Sequence, residues 1–189
     1  MSVHGVAAPP WYCRPRWLLL LAIATHLLCV LLVPRLVMSA AMHRLATLTG
    51  GDNRARLAPP TDASSRRIVM PSPDMRYALC VYDLAGGSLE ILADPRWPTY
   101  WSVALYDART DNYFSRNDRQ LAGKPLHLRL VPAGASADFS TFPNAGEIVE
   151  SPTRRGVVLL RLLVAGEAEG GVKVPEEVLR CVPHSGARG

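Results

Sequence analysis

Lysine is nearly missing from this sequence. Of 21 basic residues only Lys124 and Lys173 are lysines, and the arginines are scattered along the chain instead of being interleaved with aromatics on one stripe. The net charge of +5 is therefore not the footprint of a nucleic-acid-binding surface, and no nucleic-acid partner is expected. Nucleotide and acyl-transfer chemistry also lack their signatures. There is no G-x-S-x-G elbow, phosphate loop or G-x-G-x-x-G turn, so no cofactor is expected. Only four cysteines occur, none with a neighbour at ligand spacing, which argues against a zinc or other metal centre. Of five histidines, His4, His26 and His43 lie in or beside an apolar N-terminal run. That leaves His127 and His184, two isolated residues that read as strand or surface positions rather than a catalytic pair.

Charge is missing again from WLLLLAIATHLLCVLLV, Trp17 to Val33, which Arg14 and Arg16 precede and Arg35 follows. As a helix it spans about 25 Å. Leu36, Val37 and Met38 extend the apolar character past an arginine that can snorkel, which brings the run to the ~30 Å of a bilayer core. Trp11, Tyr12 and Trp17 suit an interfacial belt. The run reads as one retained membrane anchor in preference to a cleaved signal peptide exiting at Ser39-Ala40-Ala41, because it is long for a signal core. Arg14 and Arg16 on one side balance Arg35 and Arg44 on the other, so charge alone does not orient it. His26 reads as a residue tolerated within a lone helix.

The stretch TGGDNRARLAPPTDASSRR, Thr49 to Arg67, holds no lasting period and reads as a tether. Beyond it short apolar runs recur. Trp101, Val103 and Leu105 alternate with Ser102, Ala104 and Tyr106, and Leu126, Leu128 and Leu130 alternate with His127 and Arg129. Tyr77–Tyr82 and Val157–Leu160 are apolar on both faces, and Leu89–Ala93 and Ile148–Glu150 are further strands. Six to eight short strands punctuated by Gly and Pro, with no long amphipathic helix among them, predict an all-β, antiparallel sandwich. PEEVLRC, Pro175 to Cys181, has proline and two glutamates at its start and predicts a short helix. The expected organisation is a tail at 1–16, an anchor at 17–42, a linker at 43–67 and a sandwich at 68–189 ending in that helix.

In YWSVALYDARTDNYFSRNDRQ, Tyr100 to Gln120, a clean strand breaks into Asp, Asn and Arg. The spacing lacks the D-x-D-x-D-G order of a calcium loop, whereas Asp and Asn suit a hairpin joining Trp101–Asp107 to Tyr113–Arg116. Arg109, Arg116 and Arg119 are expected to be charge partners of these carboxylates. Trp97, Tyr100, Trp101, Tyr106, Tyr113 and Phe114 crowd one span, and at most half can point into one core. Trp101 reads as core, while Trp97 and Tyr113 are open either to the core or to a groove or partner. The candidate ligand or partner surface is Asp74, Tyr77, Trp97, Asp107, Asp111, Asn112 and Tyr113. Cys80 and Cys181 can pair if the domain lies outside the cytoplasm, tying the C-terminal helix to a central strand; the alternative is two buried thiols.

PSPDMRYALCVYDL (Pro71 to Leu84), YWSVALYDARTDNYFSRNDR (Tyr100 to Arg119) and SPTRRGVVLLRLLV (Ser151 to Val164) together resemble the bacterial family called domain of unknown function 1254, in a short, membrane-anchored form. The resemblance implies an immunoglobulin-like β-sandwich, with no catalytic residues to carry over. It also implies that the jelly-roll domain of longer members is absent or belongs to a separate partner chain. The short members are similar to envelope proteins, and the resemblance therefore favours a C-terminal domain in the periplasm on a single inner-membrane anchor. The expected function is binding or assembly. The competing expectation is an enzyme, or enzyme subunit, whose pocket is built from Asp74, Tyr77, Asp107, Asp111 and Asn112.

Overall fold

A computed structural model of the chain describes residues 15–61, 71–94, 96–135, 146–164 and 174–185. Trp11 and Tyr12 of the expected belt, together with Arg66 and Arg67 of the expected tether, lie outside them. Helix α1 runs unbroken over Pro15–Thr49. Its 35 residues measure about 52 Å, well beyond a bilayer core. From Trp17 to Val33 it carries no charged residue and is exposed, and the helix is long and apolar enough to span a membrane.

The helix does not stop at 42, and residues 43–49 are not a tether. Met38, Met42, Leu45 and Ala46 recur at helical spacing and pack on Val81, Val157, Tyr106 and Ala108. The apolar pattern thus continues past the anchor because its second half has a protein surface to cover. Gly50 and Gly51, both at positive φ, then reverse the chain. A further departure follows directly: Ala55–Leu57 form strand β1 within the expected linker.

Eight more strands follow: β2 (Met75–Asp83), β3 (Gly87–Ala93), β4 (Trp101–Asp107), β5 (Asn112–Asn117), β6 (Leu126–Pro132), β7 (Glu147–Ser151), β8 (Arg155–Leu163) and β9 (Leu179–Ser185). A four-residue helix, α2 (Asp118–Leu121), follows β5. The strands form two sheets, ordered β1-β2-β8-β4-β5 and β7-β6-β3-β9. Leu89, Ile91, Leu128 and Leu130 from one sheet and Val103, Leu105, Leu160 and Leu162 from the other share one buried core. β2 and β8 are apolar on both faces, as the sequence predicts, because that core covers one side and α1 the other.

Two expectations need correction. The predicted antiparallel arrangement fails at β7, which runs parallel to β6. Residues 133–146 between them provide a connection of the length a parallel neighbour requires. The predicted C-terminal helix is instead a turn at 176–178 leading into β9, which pairs with β3 over seven residues. A seven-residue helix is marginal by itself, whereas β9 completes a sheet edge and buries Leu179.

Candidate functional site

The predicted site residues fall at two ends of one sheet. Asp107 lies opposite Gly156 of β8 and the Asp74 carbonyl accepts from Val164 N just past the other end of that strand, so the two are separated by eight residues along it (164 − 156), roughly 26 Å. Asp74 is therefore far from Asp107, Asp111 and Asn112, so the five residues of the enzyme expectation do not come together in one place. At the first end, the Tyr77 hydroxyl accepts from Ser72 N at 3.0 Å, and buried Trp97 donates its indole N–H to Leu163 O at 2.8 Å. Trp97 is thus a core residue with a satisfied polar tip.

At the other end the polar run is turn chemistry. Asp107 Oδ1 accepts from Arg109 N at 2.6 Å and Asp111 N at 3.1 Å, and Arg109 Nε stands 3.6 Å from Oδ2. This is the side chain bonding its own backbone to close a hairpin, with Thr110 at φ 77°. Asp111 and Asn112 are exposed. Asn117 Oδ1 accepts from Gln120 N at 2.9 Å and Gln120 Oε1 from Asn117 N at 3.0 Å, a capping box that starts α2. Arg116 bonds Glu147 of the facing sheet rather than a carboxylate of the loop.

Tyr113 belongs to a buried polar network that the sequence does not announce. Its hydroxyl donates to Tyr82 Oη at 3.0 Å, Tyr82 Oη meets Ser151 Oγ at 2.9 Å, and Ser151 Oγ donates to Thr153 O at 2.7 Å. Tyr82 and Ser151 are fully buried. Burial pushes both phenols up, so they stay protonated and serve as donors. The network locks the β7–β8 connection to β2 and β5. Cys80 of β2 and Cys181 of β9 meet across the core, placed to pair as a disulfide with Cα atoms 6.8 Å apart.

The two histidines that look isolated in sequence meet on one carboxylate. His127 Nε2 stands 2.5 Å from Glu90 Oε1 and His184 Nε2 2.8 Å from Glu90 Oε2, on the outward face of β6, β3 and β9. The bond from His184, followed by that from His127, holds the Glu90 carboxyl below its ordinary range. Glu90 and His127 occupy outward positions between buried leucines and isoleucine, which period 2 reveals; that β3 lies between β6 and β9, bringing His184 alongside, it does not. Among the described residues no His, Cys, Asp and Glu group is placed to hold a metal ion.

A groove of about 610 Å3 runs along β1 beside the end of α1. Leu48, Leu57 and Leu79 give it an apolar floor, while Arg56, Arg76, Glu176 and Glu177 bring charge. None of these residues is in the predicted surface. The sequence signal was the charged pair PEE, read there as a helix start.

A family model described as protein of unknown function, DUF1254, matches residues 53–180. No curated protein matches the chain. Among solved structures it is similar to the VPA0106 protein of Vibrio parahaemolyticus, at 11% identity and a TM-score of 0.51 over 69% of this chain and 29% of that one. An uncharacterized protein of Burkholderia cenocepacia gives 19% identity and a TM-score of 0.46 over 72% of this chain and 36% of that one. The chain thus spans about a third of the length of each of these proteins.

Proposed function

Since the chain belongs to the DUF1254 family of proteins of unknown function, we propose that it is a membrane-tethered binding or assembly module of the bacterial cell envelope. We infer an inner-membrane anchor with the β domain in the periplasm, and a layering that is a variant of the immunoglobulin-like sandwich. The observation that carries the reading is α1 itself. The apolar run Trp17 to Val33 is exposed throughout, and the helix then docks through Met38 and Met42, which fixes the domain against lipid instead of letting it swing on a tether. The use of polar groups supports binding over chemistry. Asp107 is spent on its turn, Asp83 is within ion-pair reach of Arg154 and Arg155, and Trp97 is spent on the core. We propose a separate jelly-roll chain as its partner.

The test is extraction of full-length protein in mild detergent followed by native mass spectrometry. A companion polypeptide at fixed stoichiometry is the expected result. Recovery of the bare chain in every detergent, combined with turnover of a substrate by that chain, contradicts the reading.

A further inference from the structure

Among the described residues β1 is the outermost strand of its sheet and bonds on one side only, to β2. Ala58 N donates to Tyr77 O at 2.7 Å. Bonded and non-bonded pairs alternate along an antiparallel ladder, so the main-chain groups of Arg56 turn towards β2 and those of Ala55 and Leu57 turn away from it. Ala55 and Leu57 both line the 610 Å3 groove. That groove therefore carries a row of main-chain donors and acceptors as well as an apolar floor.

Its charges are also uncommitted. Arg56 and Arg76 come from the β1–β2 side, Glu176 and Glu177 from the turn preceding β9 in the other sheet, and among the described residues no ion pair joins any of the four. Arg56 Nη1 bonds Leu48 O at 2.8 Å and Arg76 Nη2 bonds Ala58 O at 3.3 Å, but Arg76 Nε is buried without a partner. A buried guanidinium nitrogen left unbonded is costly unless something else satisfies it. A nucleic acid would be repelled by the two glutamates. A small apolar ligand would cover the floor and leave the main-chain row unbonded.

We propose that an extended segment of a partner polypeptide, carrying at least one acidic and one basic side chain, adds to the free edge of β1 as a sixth strand of that sheet. Its main chain bonds Ala55 and Leu57, its apolar side chains meet Leu48, Leu57 and Leu79, and its charges pair with Arg76 on one side and Glu176 on the other. This rests on the binding reading above and names its site and the partner's chemistry.

The probe is an array of octapeptides alternating valine with lysine or glutamate in every order, applied to the full chain in detergent. Binding is read by fluorescence anisotropy and by hydrogen exchange at the Ala55 and Leu57 amides. Mixed-charge peptides are expected to bind, to protect both amides, and to weaken about tenfold in Arg76→Glu. Ala55→Pro removes an N–H that serves no bond to β2, so this variant keeps its near-ultraviolet dichroism and loses peptide binding. No binding by any peptide, or binding unchanged in both variants, overturns the proposal. So does concentration-dependent dimerisation that Ala55→Pro abolishes, which would make the occupant a second copy. A companion that still co-purifies with Ala55→Pro sinks this site while leaving the binding reading standing.

Discussion

Replacing Gly156 with alanine sets a methyl group against the buried tyrosine network. Gly156 sits in β8 between Tyr82 on one neighbouring strand and Asp107 on the other. A Cβ there would lie 2.5 Å from Tyr82 Cζ, and closer still to the Tyr82 hydroxyl and the Tyr106 carbonyl oxygen. Ordinary carbon contacts begin near 3.5 Å, so the ring must move by about 1 Å. Overpacking of this kind costs roughly 1–3 kcal/mol. Moving the ring also takes its hydroxyl from Ser151 and Tyr113, at about 1 kcal/mol for each bond. The sum is about 4 kcal/mol, a large share of the ~5–15 kcal/mol of an ordinary domain, and lowers Tm by on the order of 15 °C. Urea and thermal unfolding of the full chain in detergent, followed by near-ultraviolet dichroism, measures it. Tyr82→Ala should relieve part of the cost, making the double variant non-additive by about 2 kcal/mol. A loss under about 1 kcal/mol for Gly156→Ala would refute the packing described here.

Two further outcomes are expected. Glu90 is held below its ordinary 4.5 in the folded state, so its contribution to stability is complete above that value and is lost as pH falls through the lower folded value. Glu90→Gln should flatten the acid limb of a stability-against-pH curve, and an unchanged limb would show that the two imidazoles do not act on it. If the domain matures in an oxidising compartment, Cys80 and Cys181 close a loop of 101 residues. Cys181→Ser then costs roughly 4–5 kcal/mol in the chain-entropy account, and the free thiols of denatured, unreduced protein should include neither residue.

Strands were legible wherever local pattern and tertiary need agree. Trp101–Asp107 and the hairpin after it could be read because alternation ends on an Asx turn, and both signals lie within twenty residues. β9 could not, since PEEVLRC begins as a helix should; the vacant edge of β3 that overrides this is supplied by residues 87–93, far away in sequence. β1 is three residues long, too short to show a period, and exists because β2 offers it a ladder. The docking half of α1 was written in Met38, Met42 and Leu45, yet nothing local distinguishes a residue that faces lipid from one that faces a sheet. Site residues fared worst for the same reason. Each of Glu90, His127 and His184 reads as outward, but their meeting depends on strand order.

In the proposed topology one helix crosses lipid and then grips the β domain on the far side. Protease treatment of intact spheroplasts, with mass spectrometry of the fragments, tests it most directly. The expected result is cleavage in the β domain without lysis and protection of a fragment spanning residues 17–37. Digestion of the domain only after lysis, or recovery of the full chain in the soluble fraction after alkaline extraction, would contradict it.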